Sequence, residues 1–421
     1  MKRQDTKIGT ILFTVYCMIA AFGTYFCMYA FRKPFSAGTF DNLEIWGIDY
    51  KILLVLSQLI GYTLSKFLGI KIISEMPPQK RVQSILLFIG ISWLSLFFFG
   101  FIPFPYNFIA LFLNGLPLGL IWGLVFSYLE GRKTTEILAA GLSASFIISS
   151  GVVKSVGKFF LETVEIPEFW MPFVTGSVFI PILLVFAWML QRIPPPTETD
   201  VSQRTERKPM NNIERKLFFK QFASGLIALI FAYTIITVFR DFRDNFAADL
   251  WKELGFGTSA SIFTISEIPV AFGVLLIIAL TAIIKHNKVA FNIDQYIVLL
   301  GMGLVLFCSL WFSFFSISPL LWMILTGLGL YMAYVPYNSV IFERLIASFH
   351  YKSNAGFLIY VADAFGYLGS IIVLLYKNFG LKTISWADFF KGAGYISSVV
   401  CIALLLFSLY YFNRKHKNNK T

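Results

Sequence analysis

Charge is what this sequence has least of. Aspartate, glutamate, lysine and arginine make up 14% of its 421 residues, against about 25% in an ordinary soluble domain. Histidine occurs three times and cysteine four times. Cys17, Cys27, Cys308 and Cys401 are scattered through apolar runs without metal or redox spacing, and read as packing residues. His286, His350 and His416 fall in polar loops or the tail, which excludes a histidine proton relay or metal centre within an apolar run. No glycine-rich phosphate loop, Ser/His/Asp set or His-Glu-x-x-His run is present. The chain therefore reads as a non-enzyme, with no cofactor and no metal.

What fills the space is hydrophobic, at 57% of residues, with 18% aromatic. The charge-free runs reach the roughly 20 residues that a helix needs to cross a bilayer. Only helices or a closed barrel can span hydrocarbon, and a barrel would show alternation rather than continuous runs. The sequence predicts an all-α, polytopic membrane protein. Twelve spans are expected, near residues 8–31, 50–70, 82–102, 107–129, 136–158, 169–190, 220–240, 258–284, 295–315, 319–342, 354–376 and 391–412. The polar, proline-containing stretch "QRIPPPTETDVSQRTERKPMNNIERKLFFK" falls between the sixth and seventh. It divides the chain into a six-helix bundle over 1–190, a linker over 191–219, a second bundle over 220–413 and a tail over 414–421.

Positive charge is in excess, with 35 Lys and Arg against 23 Asp and Glu. With both termini in the cytoplasm, 23 of the cations fall on cytoplasmic segments and 11 on the outer side, leaving Lys66 inside a span. That bias is the usual one for cytoplasmic loops, so the charge implies no nucleic-acid partner. The lipid bilayer is the expected surrounding, in a bacterial inner membrane.

The two halves echo each other. Val82–Leu129 and Gln295–Phe342 are each 48 residues without a charge, and each ends at an acid, Glu130 or Glu343. "LNGLPLGLIWGLVFSYLEGR" in one half aligns with "LTGLGLYMAYVPYNSVIFER" in the other. Parallel repeats of six helices are the pattern of the major facilitator transporters.

Against this background two arginines stand out. "YFCMYAFRKPF" sets Arg32 at the end of the first span, and "AYTIITVFRDFRDNF" sets Arg240 at the end of the seventh. Either could snorkel to the interface as an ordinary helix-end cation. Yet each repeat places one at the corresponding position, on the side the positive-inside bias disfavours. A cation in the membrane interior costs roughly 2.5–3.5 kcal/mol. An arriving anion offsets that cost, and a guanidinium grips phosphate or carboxylate through two parallel hydrogen bonds. The expectation is that two inward-turned arginines from opposite halves bind one anion between them. Lys66, in "YTLSKFLGIK", is the third candidate cation. Tyr25 and Tyr29 share a helical face with Arg32.

Lys154, Glu267 and Asp363 are the other charges inside spans, and read either as structural salt bridges or as coupling groups. Asp241, Arg243 and Asp244 read as a solvated network, and Glu130, Arg132, Glu343 and Arg344 as pairs of a cytoplasmic gate.

"YFCMYAFRKPF" resembles the first-helix signature of the organophosphate:phosphate antiporters of the major facilitator superfamily. "YTLSKFLGIKIISEMPPQKR" resembles that family's second helix and following loop, and "YTIITVFRDFRDNFAADLW" its seventh helix. The resemblance implies that Arg32, Lys66 and Arg240 match the substrate-binding cations and that Tyr25 and Tyr29 match cavity tyrosines. There are departures. The fifth span has no histidine where the glycerol-phosphate members carry one, and Glu75 replaces the usual loop aspartate. They imply a divergent bacterial group of unassigned substrate.

The expected function is transport of a small organic anion, such as a phosphorylated metabolite exchanged for inorganic phosphate, by a monomer using alternating access. The alternatives are a proton-coupled carrier of a sugar, peptide or drug, with Glu267 or Asp363 carrying the proton, and a ligand sensor on a transporter scaffold.

Overall fold

The computed structural model describes residues 2–196 and 212–418, apart from 75, 131, 133, 282, 283, 285, 316, 350–354 and 382. Glu75, His350, most of the expected linker and the end of the tail lie outside the described residues. Among those described there are fourteen α-helices: α1 Lys2–Tyr29, α2 Tyr50–Ser74, α3 Arg81–Phe101, α4 Phe108–Phe126, α5 Thr135–Glu162, α6 Met171–Gln191, α7 Asn212–Asn245, α8 Ala247–Glu253, α9 Ile262–Thr281, α10 Asn287–Phe314, α11 Pro319–Ser339, α12 Ile341–Ser348, α13 Ala355–Gly380 and α14 Trp386–Asn418. Eleven of the described helices are long and apolar enough to cross a membrane. The protein is an integral, multi-pass membrane protein, as the charge-poor runs predict. Each expected span has its helix, with α13 at the eleventh.

Proline and cap chemistry set several ends. Ser318 accepts a hydrogen bond from the Leu321 amide at 3.2 Å, with Pro319 as the first helical residue of α11. Pro77 and Pro78 separate α2 from α3. The tenth expected span, 319–342, is broken at Val340 (φ −138°), so its end becomes the separate helix α12. The seventh was expected to stop at Arg240, but α7 continues to Asn245. Charge did not end this helix, because Asp241 and Arg243 are buried and bonded rather than solvated.

The chain forms two compact units. The first holds Met1–Arg204 together with Ala247–Ile268, and the second holds Thr205–Phe246 and Pro269–Thr421. In the first, α1 packs on α5 and α6, and α3 packs on α4 and α6. In the second, α7 packs on α13 and α14, and α10 packs on α11 and α14. The same partner scheme thus recurs, which is the structural form of the sequence repeat.

Bare backbone makes the tightest seams. A Cβ at Gly61 would lie 2.3 Å from the Phe112 carbonyl oxygen, and one at Gly115 would lie 2.2 Å from that of Gln58. The seam between α2 and α4 therefore admits no side chain at either position, the usual route to close helix contact in lipid. In the second unit Gly301 and Gly329 meet in the same way across α10 and α11. Gly115→Leu is expected to cost at least the roughly 1–3 kcal/mol of overpacking, lowering the unfolding midpoint in detergent. Gly90→Ala, with nothing within 4 Å of its added methyl, should leave that midpoint unchanged or slightly raised.

Candidate functional site

The first unit builds its site at the end of α1. Buried backbone carbonyls need donors, and in the turn that follows α1 two carboxamides supply them. Asn114 donates to the Phe31 carbonyl at 2.9 Å, and Gln58 donates to the Arg32 carbonyl at 2.9 Å. Gln58 also donates to the Asn114 side-chain oxygen at 2.7 Å, so one buried network fixes the backbone that carries Arg32. The guanidinium lies 3.9 Å from the centroid of the Tyr62 ring and 5.9 Å from that of Tyr29. Lys66, one turn beyond Tyr62, sets its ammonium 5.3 Å from the Tyr62 centroid and 5.9 Å from that of Trp122. Tyr25 and Tyr29 meet edge to face at 5.6 Å. Tyr29 thus adjoins Arg32 and Tyr25 adjoins Tyr29, while Arg32 and Lys66 share Tyr62, which the sequence reading did not single out. Its signal was available: Tyr62 stands four residues before Lys66.

The second unit repeats the theme with other helices. Arg240 on α7 lays its guanidinium 3.8 Å from the centroid of Tyr334 on α11. Tyr233, seven residues before Arg240 as Tyr25 is before Arg32, stacks on Tyr334 at 5.5 Å. The Tyr233 hydroxyl donates to Asp363 Oδ1 at 2.5 Å, and Asn338 donates to that hydroxyl at 3.2 Å. Arg240 bonds Asp241, whose other oxygen accepts from Ser370 at 3.1 Å. Arg243 donates to the Met323 carbonyl at 3.1 Å. The expected solvated network of Asp241 and Arg243 is therefore a buried one, at 7% and 3% exposure. The reason is that α7 presents these residues to α11 and α13 rather than to a loop.

The remaining candidates fall into separate places. Gly151 lets α9 approach α5 so closely that an added Cβ would lie 2.7 Å from the Phe263 carbonyl and 2.9 Å from Glu267. Thr264 donates its hydroxyl to Ser155 at 2.7 Å across the same seam. Lys154, almost wholly buried, sets its ammonium 5.8 Å from the Phe263 centroid. Lys154 and Glu267 therefore share the α5–α9 contact of the first unit, whereas Asp363 belongs to the second. Arg132 donates to the Tyr128 and Pro194 carbonyls and lies over Phe13, pinning the turn that holds Glu130 to the chain after α6. Glu343 and Arg344 are partly exposed on α12, where Arg344 donates to Asn287 at 2.9 Å.

One ion pair in the first unit was not expected. Lys51 is 1% exposed at the start of α2, where a cation opposes the helix dipole and so needs strong partners. It donates to the Ser36 and Gly38 carbonyls at 3.3 and 2.6 Å and to Asp249 of α8 at 2.6 Å. The loop it grips follows Arg32 directly. Glu168 accepts the Thr39 and Phe40 amides at 2.9 and 3.2 Å, and Lys252 of α8 bonds Asp41. Burial pushes the Asp249 carboxyl up to about 6, although Lys51 pulls the other way. Burial also acts to raise Asp41, but hydrogen bonds from Lys252 and Thr39 outweigh it and hold that carboxyl below its usual range.

These opposite shifts separate in pH. A carboxyl raised on folding binds its proton more tightly in the folded state. Its stabilisation is full below the usual value of 3.8 and is lost as pH rises through about 6. Asp41 behaves oppositely, losing stabilisation only as pH falls below the usual carboxylate range. The wild-type unfolding midpoint should therefore gain an increment between pH 7 and pH 5 that Asp249→Asn lacks. Lys51→Ala should cost about 3–5 kcal/mol at pH 7.5, where it strands a buried carboxylate, and less at pH 5.

Comparison with known proteins adds the following. The family model described as "Family of unknown function (DUF5690)" matches residues 34–415. No curated protein matches the sequence. Among solved structures, a D-xylose–proton symporter is 15% identical with a TM-score of 0.62, covering 94% of this chain and 96% of that one. The nucleoside transporter NupG is 15% identical with a TM-score of 0.63, covering 95% of this chain and 99% of that one. A point mutant of that transporter is 16% identical with a TM-score of 0.61, covering 95% and 100%. At such identities the likeness shows the fold alone, which is that of the major facilitator transporters. It gives no support to the organophosphate antiporter branch in particular.

Proposed function

We propose that this chain, which belongs to the family of unknown function DUF5690, is a secondary active transporter of a small organic anion. The observation that carries this reading is the recurrence of one arrangement: an arginine seven residues after a tyrosine of the first long helix of each repeat, its guanidinium laid over a tyrosine of another helix. Arg32 lies on Tyr62 and Arg240 on Tyr334. A cation over an aromatic face gains about 0.5–2 kcal/mol, less than the roughly 2.5–3.5 kcal/mol that a cation in the membrane costs. The rings orient the guanidiniums, Asp241 bonds that of Arg240, and an arriving anion would add charge-assisted hydrogen bonds to both.

In this reading Arg32 and Arg240 bind the anion, Lys66 assists, and Tyr25 and Tyr29 donate hydrogen bonds. A phosphorylated metabolite exchanged for inorganic phosphate is the most concrete version, and the antiporter-like stretches around Arg32, Lys66 and Arg240 favour it. A proton-coupled carrier of a neutral solute is the second reading, favoured by Glu267 and Asp363, each only 7% exposed. A protein that binds ligand without turnover, signalling to a membrane partner, would use the same residues.

Binding of inorganic phosphate and a panel of organic phosphates to the purified protein, read as a shift in unfolding midpoint, tests the anion reading. Arg32→Ala and Arg240→Ala should each weaken binding about ten- to hundredfold, the loss of charge-assisted hydrogen bonds worth roughly 1.5–3 kcal/mol. Arg→Lys at either position should restore only part, because an ammonium lacks the planar fork. If no phosphate compound stabilises the wild type, the anion reading fails and the buried acids become the centre of the mechanism.

A further inference from the structure

The loop between α1 and α2 ends in a short antiparallel hairpin, β1 Glu44–Ile45 and β2 Ile48–Asp49. Its two-residue turn is Trp46–Gly47, and both residues have positive φ, at 55° and 75°. Such a turn usually takes asparagine or aspartate before the glycine, because a bulky side chain is strained in the left-handed region. Here that position carries a tryptophan, and it is 75% exposed. The hairpin is fastened to the end of a membrane span. Trp46 meets the ring of Phe108, the first residue of α4, edge to face at 6.2 Å. Tyr50, which follows β2 directly, donates its hydroxyl to Asn107 and meets Phe104 edge to face at 5.0 Å. These contacts fall on the α3–α4 junction, "FIPFPYNF", which carries no charge. Asn107 is buried there, whereas Phe101, Phe104 and Tyr106 are exposed. Exposed aromatic residues thus continue from the ends of two spans on to the tip of the hairpin.

We propose that Trp46 is a lipid anchor: the hairpin tip lies on the bilayer beside the start of α4, with its indole at the level of the lipid glycerol and ester groups. Tryptophan and tyrosine collect at that boundary because each joins an apolar ring to one polar group. The uncharged aromatic turn between α3 and α4 has the same character, so the tip extends a surface that already faces lipid. The strand register orders the hairpin by polarity. Trp46 stands at the tip, the opposed pair of Ile45 and Ile48 comes next, and the opposed acids Glu44 and Asp49 form the base. An apolar tip on an acidic base enters the boundary and stops there, since carboxylates are costly in hydrocarbon. The loop that follows Arg32 is then held from two sides. Lys51, Glu168 and Lys252 bond its earlier part over Ser36–Asp41, and lipid takes its tip.

The four native cysteines are buried, so a cysteine placed at the exposed tip takes a nitroxide label selectively. Trp46→Cys, Leu113→Cys and Thr163→Cys are made in the full chain and held in phospholipid nanodiscs. Each label is tested for collision with oxygen, which dissolves in lipid, and with a nickel chelate, which stays in water. Leu113, exposed on α4, is the lipid reference, and Thr163, exposed just beyond α5, is the water reference. The label at position 46 should meet oxygen more often and nickel less often than the label at 163, at a depth shallower than that at 113. Nickel access equal to that at 163 places the tip in water and overturns the proposal. Shielding from both reagents marks a protein contact, such as a second copy of the chain, and overturns it as well. Should Trp46→Cys fail to fold, Trp46→Phe carries the test, with fluorescence quenching by lipid brominated near the ester end of its chains. Removing this one of nine tryptophans should lower the quenched fraction relative to wild type. A fraction that stays the same or rises contradicts the anchor.

Discussion

A guanidinium held among apolar helices is the constraint around which this protein is built. Its charge cannot be removed by a pKa shift, because arginine stays protonated, so the surrounding helices must provide for it. They do so twice, with a tyrosine face beneath each guanidinium and tightly bonded backbone or carboxylate beside it. At Arg32 the provision reaches into the backbone, because Gln58 and Asn114 donate to the carbonyls of Arg32 and Phe31 in the turn after α1. Gly61 and Gly115 bring α2 and α4 close enough for those two carboxamides to meet. Small residues, carboxamides and aromatic faces are thus successive layers of support for one charge.

Much of the fold was legible because hydrocarbon permits so little. Charge-free runs of span length without a barrel's alternation read as helices, and two matched charge-free runs of 48 residues point to a repeat. What the runs did not show was where charge can sit without ending a helix. Arg240 reads as a terminus, yet α7 passes through Asp241 and Arg243 to Asn245 because neighbouring helices satisfy both side chains. The break at Val340 is similar, since the apolar run continues across it while the backbone does not.

The candidate site was legible in its cations and less so in their supports. Arg32, Lys66 and Arg240 stand out because lysine and arginine are rare in apolar surroundings. Tyr62 and Tyr334 are two of 19 tyrosines in an aromatic-rich chain, and only the fold identifies them as the faces beneath the guanidiniums. Lys154, Glu267 and Asp363 read as one class of buried charge, but Lys154 and Glu267 flank the α5–α9 seam while Asp363 accepts from Tyr233 in the other unit. The pair of Lys51 and Asp249 joins residues almost two hundred positions apart, and periodicity carries no information over such distances. Lys51 clamps the loop that follows Arg32.

The central claim of the proposal is that the protein carries an anion across the membrane by exchange and needs both Arg32 and Arg240 to do so. Counterflow in liposomes tests this most directly: vesicles containing the protein are loaded with labelled phosphate and diluted into buffer with or without an organic phosphate. The account predicts retention of label in plain buffer and rapid efflux once the external anion is added, with both Arg32 and Arg240 required. Uptake of a neutral solute driven by a pH gradient, surviving the loss of Arg32, would contradict it.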